Sequence, residues 1–219
     1  MNKTIEFLRL LKENNNREWF EANRKMYEGA QKEFGILVDG VIAGIRTFDA
    51  EIGKVTAKDC VFRIFRDVRF SKDKSPYKTN MGAFISKSGR KGMYAGYYIH
   101  ADAESPMAAG GIYMPPADVL KKVRQEIYFH ADEFKGIIHD TKFREMFRLM
   151  EDDKLSRPPK DFPADFGDIG LLKYKSYAVI HDISIQQFMG EGLAEHLTSV
   201  FKAMYVFNRF LNRGLEMGG

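Results

Sequence analysis

The sequence predicts an α+β fold: a single domain, residues 1–219, in which an antiparallel sheet of about four to five strands is covered by N- and C-terminal helices. Three observations predict it. Near both ends of the chain apolar residues recur at three- and four-residue steps, the spacing of one helix face. Between them, from Val61 to about Met114, β-branched and aromatic residues dominate and glycines punctuate the run, which is the texture of an antiparallel meander. Finally, 219 residues at 44% hydrophobic content are enough to bury one sizeable core, and no repeat, low-complexity run or linker marks a domain cut.

The elements follow in order. Thr4 is expected to cap a short helix with Phe7, Leu8 and Leu11 inward, ended by Asn14, Asn15 and Asn16. Asn16 then caps a second helix anchored by Trp19 and Phe20. Tyr27, Ala30, Phe34, Leu37, Val38, Val41, Ile45 and Phe48 trace a longer amphipathic helix suited to covering a sheet. Strands are expected near 61–66, 81–87, 93–101 and 107–113, with Ser88 to Gly92 turning the middle hairpin. Tyr94, Gly96, Tyr98 and His100 would share one sheet face, and Ala95, Tyr97, Ile99 and Ala101 the other. Gly110-Gly111 inside a strand marks either the close approach of a ligand or backbone, or a bulge or crowded packing site.

Pro115-Pro116 should start a helix through roughly Tyr128, with Arg124 at the border of its apolar stripe. Two short helices follow within 131–150, and 152–166, rich in proline and base, should be extended. A short helix near 167–172, a strand over 174–180 and a final core helix bearing Leu193, Leu197, Val200, Met204, Phe207 and Leu211 complete the chain.

The charge is unevenly placed. Residues 61–79 hold six bases (Arg63, Arg66, Arg69, Lys72, Lys74, Lys78) against two acids (Asp67, Asp73), an excess equal to the formal +4 of the whole chain. These bases alternate with Val61, Phe62, Ile64, Phe65, Val68 and Phe70, so the guanidinium groups are anchored and can converge on an anion. Two readings are open: Asp67 and Asp73 pair with neighbouring bases in a stiffened loop, or the surplus cations take an external anion.

Other chemistry is scarce. There is no phosphate-binding glycine loop, dinucleotide fingerprint, nucleophile elbow or paired-cysteine zinc pattern. The single cysteine, Cys60, allows no internal disulfide and reads as a buried structural residue. His100-Ala101-Asp102 and His181-Asp182 offer paired ligands without a third, so no metal and no cofactor is expected. No run is apolar enough to span a bilayer and no signal-peptide plan opens the chain, so a cytoplasmic protein without a membrane partner is expected.

The run from Phe62 to Thr79 resembles the signature of the domain-of-unknown-function family numbered 2461, a widespread, mostly bacterial group of uncharacterised proteins. Similarity extends to Asn15-Asn16-Arg17-Glu18-Trp19-Phe20, Ala95-Gly96-Tyr97-Tyr98-Ile99-His100, Gly110-Gly111-Ile112-Tyr113-Met114-Pro115, Arg124-Gln125-Glu126-Ile127 and 154–160, essentially the full length. The resemblance implies a single domain and supplies no reaction. Asn80 stands where relatives often have histidine.

The leading expectation is therefore a pocket for a small phosphorylated or carboxylated ligand where 61–79 meets Tyr98, His100, Gly110-Gly111, Arg124 and the loop 154–160. Its ligand-binding residues would be Arg63, Arg66, Arg69, Lys72, Lys74, Tyr77, Lys78, Arg124 and Arg157, with Asp67 or His100 as a proton-transfer group if catalysis occurs. The alternatives are nucleic acid, with Phe70, Tyr77, Tyr97 or Tyr98 stacking on bases, and an acidic protein partner.

Overall fold

A computed structural model of the chain describes residues 1–151 and 153–216. Helices α1 (Asn2–Glu13), α2 (Arg17–Ala22), α3 (Arg24–Ile45) and the one-turn α4 (Ala57–Cys60) precede strands β1 (Asn80–Ile85), β2 (Gly96–Asp102) and β3 (Met107–Ile112). Helices α5 (Ala117–Phe129), α6 (Ala131–Ile138) and α7 (Thr141–Met146) come next. Strands β4 (Arg148–Leu149) and β5 (Tyr177–Asp182) then complete the sheet, and α8 (Ile185–Met189) and α9 (Leu193–Glu216) close the chain. The five strands are antiparallel in the order β1-β2-β3-β5-β4.

The α+β class and the alternation in β2 hold. Tyr97, Ile99 and Ala101 are buried while Tyr98 and His100 are half-buried. Helix α9 lies on the buried face, with Phe201 5.2 Å from the Tyr97 ring, and α3 packs against α1, α9 and β1. The double glycine belongs to this packing: a Cβ on Gly110 would lie 2.0 Å from Met204 Sδ, and one on Gly111, at φ +100°, would lie 2.1 Å from the Tyr177 carbonyl. Both readings of that pair meet here: α9 crowds Gly110, and the backbone of a neighbouring strand comes close to Gly111.

Several expectations are corrected. Helix α1 begins at Asn2, one turn earlier than a Thr4 cap would place it; Thr4 is buried and its hydroxyl donates to the Ala30 carbonyl and to Glu33. The strand expected at 61–66 does not form. Val61 makes one bridge to Ala83, Phe62 N donates to the Gly82 carbonyl, and the chain then turns to pair with its own continuation, through Lys78 N to Ile64 O and Arg66 N to Pro76 O. Between these two arms the carboxylates of Asp67 and Asp73 accept from the backbone N–H groups of Arg69 and Ser75, which shapes a turn in place of a sheet ladder. The strand expected at 174–180 runs instead over Tyr177–Asp182. Strand β4 is too short to leave a periodic signature. Residue 152 lies outside the described residues.

Candidate functional site

Asn15, at the turn between α1 and α2, fixes the position of the basic segment. Its Nδ2 donates to the Tyr77 carbonyl at 3.0 Å and its Oδ1 accepts from Tyr77 N at 3.1 Å, the pair of bonds a neighbouring strand would make. The Tyr77 ring stacks on Phe20 at 4.0 Å and packs beside Phe65. Tyr77, at 3% exposed, is therefore a loop anchor. Asn16 caps α2 by accepting from Trp19 N. Asn15, Asn16 and Arg17 also line one wall of an open groove of about 530 Å³, whose other wall is Val68, Lys74, Ser75 and Pro76. The sequence shows the three asparagines as a turn; the bond to a residue 62 positions away has no local signal.

Inside the loop, both acids are used. Asp67 takes Arg69 through two parallel bonds, 3.0 Å to Nε and 2.7 Å to Nη2. Asp73 takes the Arg66 guanidinium and also accepts from Ser75 N and Oγ at 2.9 and 2.6 Å. Hydrogen bonds to Arg69 hold the Asp67 carboxyl below the usual carboxylate range. Those from Ser75, then Arg66, do the same for Asp73. Asp67 is thus a fixed anion facing Arg69, a poor proton carrier. Lys74 donates to the Val68 carbonyl at 3.0 Å, and Lys72 is exposed.

Arg63 and Lys78 are set apart by lying within electrostatic reach of each other. Like Lys72 and Lys74, neither makes an ion pair among the described residues; Arg63 is exposed, and Lys78 is half-buried with its ammonium 5.4 Å from the centroid of the Phe62 ring. Burial, then the charge of Arg63, lowers the proton affinity of Lys78. Phe62 in turn meets the Tyr98 ring edge-on at 6.4 Å. Gly82 stands opposite His100 in the β1–β2 register and accepts from Phe62 N, so Phe62, Gly82 and His100 form one row on the sheet face away from α9. Tyr98 Oη lies 3.0 Å from His100 Nδ1. Burial pushes the Tyr98 hydroxyl up to about 12 and lowers His100, which Asp102 only partly offsets.

The remaining candidates lie elsewhere. Arg124 is buried on α5 and donates to the Tyr174 carbonyl at 2.9 Å. Lys154 pairs with Glu151 and sits over the Tyr174 ring at 4.3 Å, and Arg157 is exposed. Lys154 bridges Tyr174, just before β5, whereas Val61 bridges Ala83 at the β1 edge. With β2 and β3 between β1 and β5, the two basic loops lie at diagonally opposite corners of the sheet. The expected single pocket therefore divides: Arg63 and Lys78 stand near Tyr98 and His100, while Arg124 and Arg157 belong to the other corner. Cys60 ends α4, fully buried, its thiol pushed up to about 11 by burial.

This fold and loop define a class of protein with a basic segment clamped to the edge of a helix-backed sheet. Residues 3–210 match the model of the family described as "Conserved hypothetical protein (DUF2461)", and the chain belongs to that family. No curated protein and no solved structure matches it.

Proposed function

We propose that the protein binds a small phosphorylated or carboxylated ligand at Arg63 and Lys78, and that it does so in the cytoplasm. One observation carries the reading: in a loop where each acid already holds an arginine, these two cations lie within electrostatic reach of each other and neither makes an ion pair among the described residues. The half-buried Lys78 is disfavoured as a cation by its burial and then by the exposed Arg63 beside it, and a bound anion relieves that cost. Arg63 supplies a planar fork for two anion oxygens and Lys78 a point charge. Among the described residues no helix is long and apolar enough to cross a membrane.

The test is the thermal midpoint of the protein with inorganic phosphate, sugar phosphates and dicarboxylates, beside Arg63→Ala and Lys78→Ala. A ligand at a hundred times its dissociation constant adds about 2.7 kcal/mol, which raises the midpoint of a chain this size by roughly 5–11 °C. The shift is expected in the parent and lost in both variants. No shift with any of these anions would sink the proposal.

A second reading, single-stranded nucleic acid, is favoured by Phe70. That ring is 95% exposed at the loop tip, with the Arg69 guanidinium 5.7 Å from its centroid, and an exposed aromatic among cations suits base stacking. Tyr77 and Tyr97 are buried at 3% and 1% exposure and take no part. Under this reading oligonucleotide affinity falls steeply with salt and is weakened by Phe70→Ala; under the first, Phe70→Ala leaves anion binding unchanged.

A further inference from the structure

The Tyr98–His100 pair sits on the sheet face that carries Phe62, and its hydrogen bond has a preferred direction. A phenol O–H is a good donor and an imidazole nitrogen a good acceptor, whereas a phenolic oxygen accepts weakly. The bond of 3.0 Å therefore runs from Tyr98 Oη to His100 Nδ1. That leaves the ring proton of a neutral imidazole on Nε2. Burial favours the uncharged forms of both groups. Gly82 provides the clearance, since a Cβ there would lie 2.5 Å from Tyr98 Oη. Among the described residues, the buried side-chain nitrogens and oxygens without a partner are Arg124 Nε, His196 Nε2 and Asn208 Oδ1. His100 Nε2 also has no protein partner, so it must reach solvent.

From this geometry we propose that Tyr98 fixes His100 as a neutral Nε2–H donor, and that the site takes an anion which also carries a carbonyl or hydroxyl oxygen for that donor. The proposal rests on the anion site at Arg63 and Lys78. The Lys78 ammonium is 5.4 Å from the Phe62 ring and that ring 6.4 Å from Tyr98. A bare phosphate reaches only one hydrogen-bond length from its cations and leaves His100 unused. A phosphorylated sugar or hydroxy acid spans from the cations across Phe62 to the imidazole. His100 is then a specificity-determining donor, in contrast to the proton-transfer role the sequence suggests.

Long-range proton–nitrogen spectra of the nitrogen-15-labelled protein read the His100 tautomer directly. The expected result at pH 7.5 is a proton on Nε2 and none on Nδ1. A protonated Nδ1 in the neutral ring overturns the inference without touching the anion site. Calorimetry with inorganic phosphate, glucose 6-phosphate and dihydroxyacetone phosphate supplies the second readout. At least one sugar phosphate is expected to bind about tenfold more tightly than phosphate, the effect of one good hydrogen bond. His100→Ala and Tyr98→Phe should each erase that advantage and leave phosphate affinity unchanged. Equal affinity for all three compounds, lost in Arg63→Ala and Lys78→Ala, overturns the inference while the anion site stands. Phosphate affinity that is absent, or indifferent to Arg63 and Lys78, removes the anion site and the inference with it.

Discussion

Lys78 is a charge held where charge is costly. Its proton affinity is below that of an ordinary lysine, so the native state binds that proton less tightly than the unfolded chain does. The cost is present at neutral pH and disappears only above the unfolded lysine value near 10.4. Lys78→Met keeps the stem and removes the charge, so we expect the ligand-free protein to be no less stable in urea than the parent while its anion-induced midpoint shift is lost. Loss of stability together with loss of binding would make Lys78 a structural residue. Gly111 obeys a different constraint. Gly111→Ala forces a Cβ onto the Tyr177 carbonyl at a positive φ, and a loss of about 2 kcal/mol or more is expected in urea unfolding. Tyr97 donates to the buried Asp49 carboxylate at 2.9 Å, and Tyr97→Phe strands that acceptor at a cost of about 1–3 kcal/mol.

The basic segment behaves as an element, even though it is neither helix nor strand. It is closed internally by the Arg66–Asp73 and Arg69–Asp67 pairs and attached externally through Asn15. Asn15→Ala removes both bonds to Tyr77, and faster hydrogen exchange at the Tyr77 amide is expected, with binding of any anion at Arg63 and Lys78 weakened. Unchanged exchange would show that Phe20 stacking alone holds the loop. Acid acts on the internal pairs. Both carboxyls titrate below their unfolded values, so their contribution is complete above about pH 4 and is lost only as pH falls through the lower native values. Amide shifts of Arg69 and Ser75, whose N–H groups bind these carboxylates, should stay constant from pH 7 to 4 and move only below that. Movement between pH 6 and 5 would contradict the pairing.

For the whole molecule, the helix faces and the α+β class were legible in the sequence, because burial imposes a period that any single stretch displays. Phe34, Val38, Val41 and Ile45 on α3, and Leu197, Val200, Met204 and Leu211 on α9, are buried as their spacing requires. The local charge excess at 61–79 was legible for the same reason: composition is additive along the chain. What the sequence could not display is which bases spend their charge internally. Arg69 and Arg66 find acids two and seven residues away, while Arg63, Lys72, Lys74 and Lys78, equally basic on paper, make no ion pair among the described residues. Strand order was equally hidden. It places the loop 154–160 and Arg124 away from the 61–79 segment, although both stretches read as basic and loop-like. Periodicity and composition are properties of neighbours in the chain, and they determined the layers and the location of the charge. Pairing, sheet order and the bond from Asn15 to Tyr77 join residues distant in sequence, so only the tertiary structure decided which cations remain open and what stands beside them.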